Sequence, residues 1–113
     1  MVSEEELRAL ALSLPAVTER PSYGTPAFFV GKALFARLTG DDGVLMVRVA
    51  DEGEKRALVS SQPDVFFTTP HYDGYAAVLV RLPAVAPDLL AELVTDAWRL
   101  RATVTVRRAH PDL

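Results

Sequence analysis

Apolar residues recur along the chain with two different periods, and the switch between them predicts the elements. Leu7, Leu10, Ala11 and Leu14 repeat at helical spacing and form one apolar stripe. Ser3 stands before that stripe and Glu6 three residues later, the pairing of a capping box that satisfies two orphan N–H groups at a helix start. Glu4, Glu5 and Glu6 also suit the positive end of the helix dipole. Pro15 ends this helix, because the residue before a proline avoids helical backbone. Residues 18–25 read as a polar stretch with a turn at Gly24.

The period then shortens to two. Residues 27–30 and 34–38 read as strands joined through Gly31 and Lys32 in a tight hairpin. Gly40, Asp41, Asp42 and Gly43 form a turn signal, after which residues 44–49 read as a third strand of an antiparallel meander. Asp51 and Glu54 make a second capping pair and predict a short helix from Glu52 to about Ser61. Residues 65–68 and 76–82 are the fourth and fifth strands, with a loop over residues 70–75 between them. Pro87 fits the first position of a long helix to about Arg101, whose apolar face holds Leu89, Leu90, Leu93, Val94, Ala97, Trp98 and Leu100. Thr103, Val104, Thr105 and Val106 alternate like a strand but equally suit an extension of the helix.

The expectation is an α+β fold: an antiparallel sheet of about five strands with the N- and C-terminal helices packed on one face. The other face is then at least partly open. With 113 residues, half of them hydrophobic, and no cysteine, the chain fits one domain with a core that needs no disulfide, residues 102–113 forming a tail. The acidic start, Met1 to Glu6, is unlike a basic secretory n-region, and no apolar run reaches bilayer length. A cytoplasmic protein with no membrane partner is expected. The formal net charge of −3 argues against a general polyanion binder but leaves room for a local basic patch.

Strand alternation points to where such a patch would lie. Leu34, Ala36 and Leu38 oppose Phe35 and Arg37; Leu45, Val47 and Val49 oppose Val44, Met46 and Arg48; Val78, Val80 and Leu82 oppose Leu79 and Arg81. The first set of each strand is uniformly apolar and belongs to the core. Arg37, Arg48 and Arg81 then share the open face with Phe35, Met46 and Leu79, and Lys32 adds a basic residue at the hairpin turn. Arginine forks bond phosphate oxygens in pairs, and an aromatic ring among them offers a surface for stacked bases. The plain alternative is that these arginines are solvated, their stems covering apolar surface.

Two segments concentrate the remaining chemistry: Ser22-Tyr23-Gly24-Thr25-Pro26-Ala27-Phe28 and Thr69-Pro70-His71-Tyr72-Asp73-Gly74-Tyr75. They contain all 3 tyrosines of the chain, so the two loops are expected to share a rim. Tyr23, Thr25, His71, Tyr72 and Tyr75, with Trp98 nearby, are candidates for contact with a small molecule or a protein. Turn chemistry alone also accounts for much of the pattern, with Gly24 and Gly74 supplying positive φ.

With Ala11-Leu12-Ser13-Leu14-Pro15, the run Leu34-Phe35-Ala36-Arg37 after Lys32, and Ala97-Trp98-Arg99-Leu100, these segments make the chain resemble the MmcQ/YjbR-like family over residues 7–101. The resemblance implies a CyaY-like (frataxin-like) α+β fold and a DNA-binding "double wing" protein; it brings no catalytic residues. The tail after Arg101 departs from the shorter ending associated with the family.

Other chemistries find little support. His71 and Asp73 are too few for a zinc site, and there is no phosphate-binding loop, dinucleotide fingerprint or nucleophile elbow. The frataxin-like resemblance raises iron binding, but Glu4, Glu5 and Glu6 are explained by capping and no acidic ridge follows them. Neither metal, cofactor nor catalysis is expected. Two functions remain: DNA binding through the open sheet face, or a small-molecule or protein-interaction site at the tyrosine/histidine rim.

Overall fold

A computed structural model describes residues 2–113; Met1, part of the acidic start, lies outside them. The element order is α1 (Glu4–Leu12), β1 (Val17–Ser22), β2 (Thr25–Val30), β3 (Ala33–Leu38), β4 (Val44–Arg48), α2 (Glu52–Ser61), β5 (Phe66–Phe67), β6 (Ala77–Arg81), α3 (Pro87–Arg101) and α4 (Val104–Ala109). A single 3-10 turn, Pro70–Tyr72, lies between β5 and β6. The strands form one antiparallel sheet in the order β1-β2-β3-β4-β6-β5.

The α+β architecture is as expected, with six strands in place of about five. The additional strand is β1, in the stretch read as polar turn. Thr18, Glu19, Arg20 and Pro21 give it no apolar alternation, and its position explains why none is needed. An edge strand pairs on one side only, so charges and proline are tolerated there and discourage pairing with other chains. Residues 103–106 form neither a strand nor an extension of the long helix: the backbone is extended at Ala102, and Thr103 caps a separate helix α4, its hydroxyl accepting from the Val106 N–H at 3.3 Å.

The core lies between the sheet and its helices. Both side-chain to backbone bonds of the Ser3–Glu6 box form, at 3.1 and 3.2 Å, and α1 buries Leu7 and Ala11. Arg8 on its outer side meets Glu19 of β1 at 2.7 Å, tying helix to edge strand. From α3, Leu90, Val94, Ala97 and Trp98 pack against Phe28, Leu45, Val47, Val78 and Val80 of the sheet. Trp98 is fully buried and its indole N–H donates to the Pro15 carbonyl at 2.8 Å. Trp98 is therefore a core residue, remote in role from any ligand rim: a large ring at the centre of the α3 apolar face has nowhere to go but the sheet.

Phe35 requires the second correction. Along the β2–β3 pair, Phe28 faces Ala36, and the next facing pair is Phe29 and Leu34. Phe35 is thus the extra residue of a β-bulge, which breaks strict alternation. The bulge turns Phe35 into the core beside Ala36 and leaves Leu34 on the open face. Simple alternation assigns these two neighbours the other way round.

Candidate functional site

Cross-strand partners share a face, so the sheet register lays out the open side row by row. Arg20 pairs with Ala27, Ala27 with Arg37, Arg37 with Met46, and Met46 with Leu79. Arg48 faces Ala77, and Val44 faces Arg81. A small second apolar cluster of Met46, Ala77 and Leu79, flanked by Leu34, Val44, Phe67 and Tyr72, forms the floor. Arg48 and Arg81 thus stand at opposite ends of β4, about 13 Å apart by strand rise, with Arg37 between them.

The loop before β6 folds over one end of this floor. Its anchor is Lys55 of α2, only 5% exposed, whose Nζ donates to the carbonyls of Tyr72 at 2.6 Å and Tyr75 at 3.1 Å. A buried ammonium is tolerated when such acceptors meet it. From above, the Tyr72 hydroxyl accepts from Arg37 Nη2 at 2.6 Å, while Arg37 Nη1 donates to Thr25 Oγ1 at 3.1 Å. The Thr25 hydroxyl in turn donates to the Ser22 carbonyl at 3.0 Å. His71 packs edge-on against Tyr72, with ring centroids 4.7 Å apart.

These contacts bring parts of the two candidate groups into one place. Tyr23, His71, Tyr72 and Tyr75 surround a shallow cavity of about 280 Å³ whose sheet side includes Arg37, Arg48 and Met46. Thr25 supports it from beneath through Arg37. Lys32 is exposed in the β2–β3 turn and does not line the cavity. Arg81 is also outside it, stacked 4.0 Å from the Phe67 ring centroid and bonded to the Pro63 carbonyl at 3.2 Å.

The two cavity arginines differ in kind. Both amino ends of Arg37 are engaged by the protein, so Arg37 works as a brace for Tyr72. Arg48 is half-buried, and its side chain has no hydrogen bond or ion pair among the described residues. Burial, and then the charge of Arg101, push its guanidinium below the ordinary arginine pKa. It remains protonated at neutral pH; Glu54 and Asp96 line a neighbouring cavity with it, but neither is within ion-pair distance.

Three contributors leave little or no mark in the sequence pattern. Arg20 lies in the unrecognised strand β1, its guanidinium 4.1 Å from the Phe29 ring centroid. Arg101 ends α3 and reaches the Leu34 carbonyl at 3.1 Å. Lys55 does carry a signal: it stands one helical turn before Leu58 and Val59, which pack against the core. A lysine on the apolar side of a helix marks an ammonium with buried acceptors.

Among the described residues no group of three or more His, Cys, Asp and Glu could hold a metal ion, and no helix is long and apolar enough to cross a membrane.

Fold and site together define a small α+β domain whose open antiparallel face carries arginines and is crossed by a tyrosine-bearing loop. The YjbR family model matches residues 12–100, and the chain belongs to the YjbR family. Uncharacterized protein Rv2570 of Mycobacterium tuberculosis and uncharacterized protein Mb2600 of Mycobacterium bovis are each 54% identical to it over 59 residues, covering 52% of this chain and 46% of theirs. The match therefore spans about half the length of these relatives. The crystal structure of Deinococcus radiodurans protein DR2400, a DUF419 domain, superposes with a TM-score of 0.79 at 24% identity, covering 96% of this chain and 88% of that one. That likeness is one of fold.

Proposed function

We propose that the protein is a binding module that takes nucleic acid on the open face of its sheet. The observation that carries this reading is the sorting of charge within the strands. Their only carboxylate is Glu19, which meets Arg8 of α1 on the helix side. Their four arginines, Arg20, Arg37, Arg48 and Arg81, all lie on the open face. An acidic protein thus presents a sheet surface whose charge is wholly positive, interleaved with Phe29, Phe67 and the cavity tyrosines. Phosphates supply the matching charge and bases the matching planes. The DNA binding implied by the MmcQ/YjbR resemblance agrees with this reading.

A second reading, a small anionic molecule held in the cavity, is favoured by the unpaired state of Arg48.

The test is titration of a labelled duplex and a labelled single strand at low and physiological salt, with Arg20→Gln, Arg48→Gln, Arg81→Gln combined in one variant. Arg37 is left in place because it braces Tyr72. Circular dichroism checks the fold of the variant. Binding that weakens with salt and is largely lost in the folded variant is the expected result. Binding unchanged by the three substitutions, or absent from the wild type at low salt, overturns the proposal.

A further inference from the structure

We infer that the cavity between Tyr23 and Tyr75 is a subsite for one unstacked nucleotide of a single strand, its base against the tyrosine rings and its phosphate at Arg48. This rests on the nucleic-acid reading and specifies its ligand.

Tyr23 is the first support. With Gly24 it forms the two-residue turn of the β1–β2 hairpin, closed by the Ser22–Thr25 pair. Both turn residues have positive φ, 54° at Tyr23 and 80° at Gly24. That geometry favours Asn-Gly and strains a bulky side chain. The residue is nevertheless 96% exposed. The Arg37 guanidinium stands 5.9 Å from the ring centroid, at the limit of a cation–π interaction. Neither turn formation nor burial explains a tyrosine there, whereas a planar ligand does.

Tyr75 is the second. Its carbonyl is fixed by Lys55, yet 59% of the residue is exposed. The backbone is therefore positioned while the ring is free to stack. Arg48 is the third, a half-buried cation beside these rings whose guanidinium has no ion-pair partner among the described residues. Its sheet partner is Ala77, whose small side chain leaves the guanidinium room.

Size and shape select the ligand. At about 280 Å³ the cavity lies near the lower end of small-ligand pockets, too confined for the side of a duplex. Paired bases also hide the faces that tyrosine would contact, so only an unpaired base can enter.

The experiment compares a labelled single strand, its duplex, the same strand made abasic throughout, and a free nucleoside monophosphate, all against the full chain. Tyr23→Asn, which suits the turn and removes the ring, and Tyr75→Ala are tested beside Arg48→Gln. The single strand should bind at least about tenfold more tightly than duplex or abasic strand, and each tyrosine variant should lose roughly 5- to 100-fold for the single strand alone. Arg48→Gln should weaken every phosphate-bearing ligand. Equal binding of duplex and single strand, indifferent to both tyrosine variants, overturns the subsite while leaving a nucleic-acid interface. A free nucleotide binding as tightly as the strand overturns it in favour of a small-molecule site. No binding of any nucleic acid at low salt removes the underlying reading as well.

Discussion

Tyr23 occupies a backbone conformation that disfavours it, and this makes stability and binding separable at a single residue. The left-handed region costs a bulky L-residue about 1–2 kcal/mol, much of which asparagine avoids. Tyr23→Asn should therefore raise stability by about 1 kcal/mol, or roughly 4 °C in Tm for a domain of this size, because the exposed ring loses no packing. The same substitution should weaken single-strand binding. Thermal denaturation and titration of one sample check both, and a lower Tm would mean that the ring supports the hairpin. This tension is partly legible in the sequence: tyrosine beside glycine in a polar segment marks a turn with an aromatic at its tip. The exchange of Leu34 and Phe35 between faces is not legible there. Both are apolar, so a bulge that swaps them leaves no trace in the hydrophobic pattern. Trp98 misleads for a related reason, since its indole suits a rim and a core equally until the Pro15 carbonyl is seen to accept its N–H.

At the scale of elements, the site is an assembly of pieces that sequence patterns describe unequally. The β4 and β6 strands alternate clearly, and in β3 the bulge at Phe35 leaves Ala36, Arg37 and Leu38 in alternation, so the sequence alone assigns Arg37, Arg48 and Arg81 to one face. Edge strand β1 does not alternate, because pairing on one side with its outer edge in solvent demands little apolar surface, and Arg20 is hidden with it. The loop over residues 70–75 announces its composition but not its position, which depends on a long-range contact from α2. Lys55 supplies that contact with charge-assisted bonds to the Tyr72 and Tyr75 carbonyls. Lys55→Met keeps the length of the side chain and removes both bonds, at a cost of about 1–3 kcal/mol for acceptors left unsatisfied. Hydrogen exchange should then show faster exchange at the Tyr72 and Tyr75 amides, which close the turn onto Thr69 and Tyr72. Amides within β4 and β6 should keep most of their protection. Unchanged protection in the loop would show that Arg37 and Tyr72 suffice to hold it.

For the whole molecule, the question is how a chain with a formal net charge of −3 attracts a polyanion. The carboxylates that give the negative balance lie largely on α1, α2, α3 and the connecting turns, while the strand arginines gather on one side of the sheet. Screening makes this separation effective: at about 0.1 M salt the Debye length is about 10 Å, so a phosphate on the open face responds to nearby arginines more than to remote carboxylates. The distribution therefore matters where the total does not, and substitutions that change the total equally should act unequally. Each phosphate contact with a single strand contributes about 0.7 to the fall of log K with log salt, so contacts from Arg20, Arg48 and Arg81 give a slope near −2. Arg20→Gln with Arg81→Gln should flatten the slope by about 1.4. Glu4→Gln with Glu5→Gln changes net charge by the same amount in the opposite direction, on a helix packed against the other face of the sheet. That pair should leave the slope unaltered and shift affinity only slightly. The α1 cap is retained in this control, since Ser3 and Glu6 are untouched. If both pairs move the slope alike, total charge governs association, and the segregation of arginines onto the open face has no part in binding.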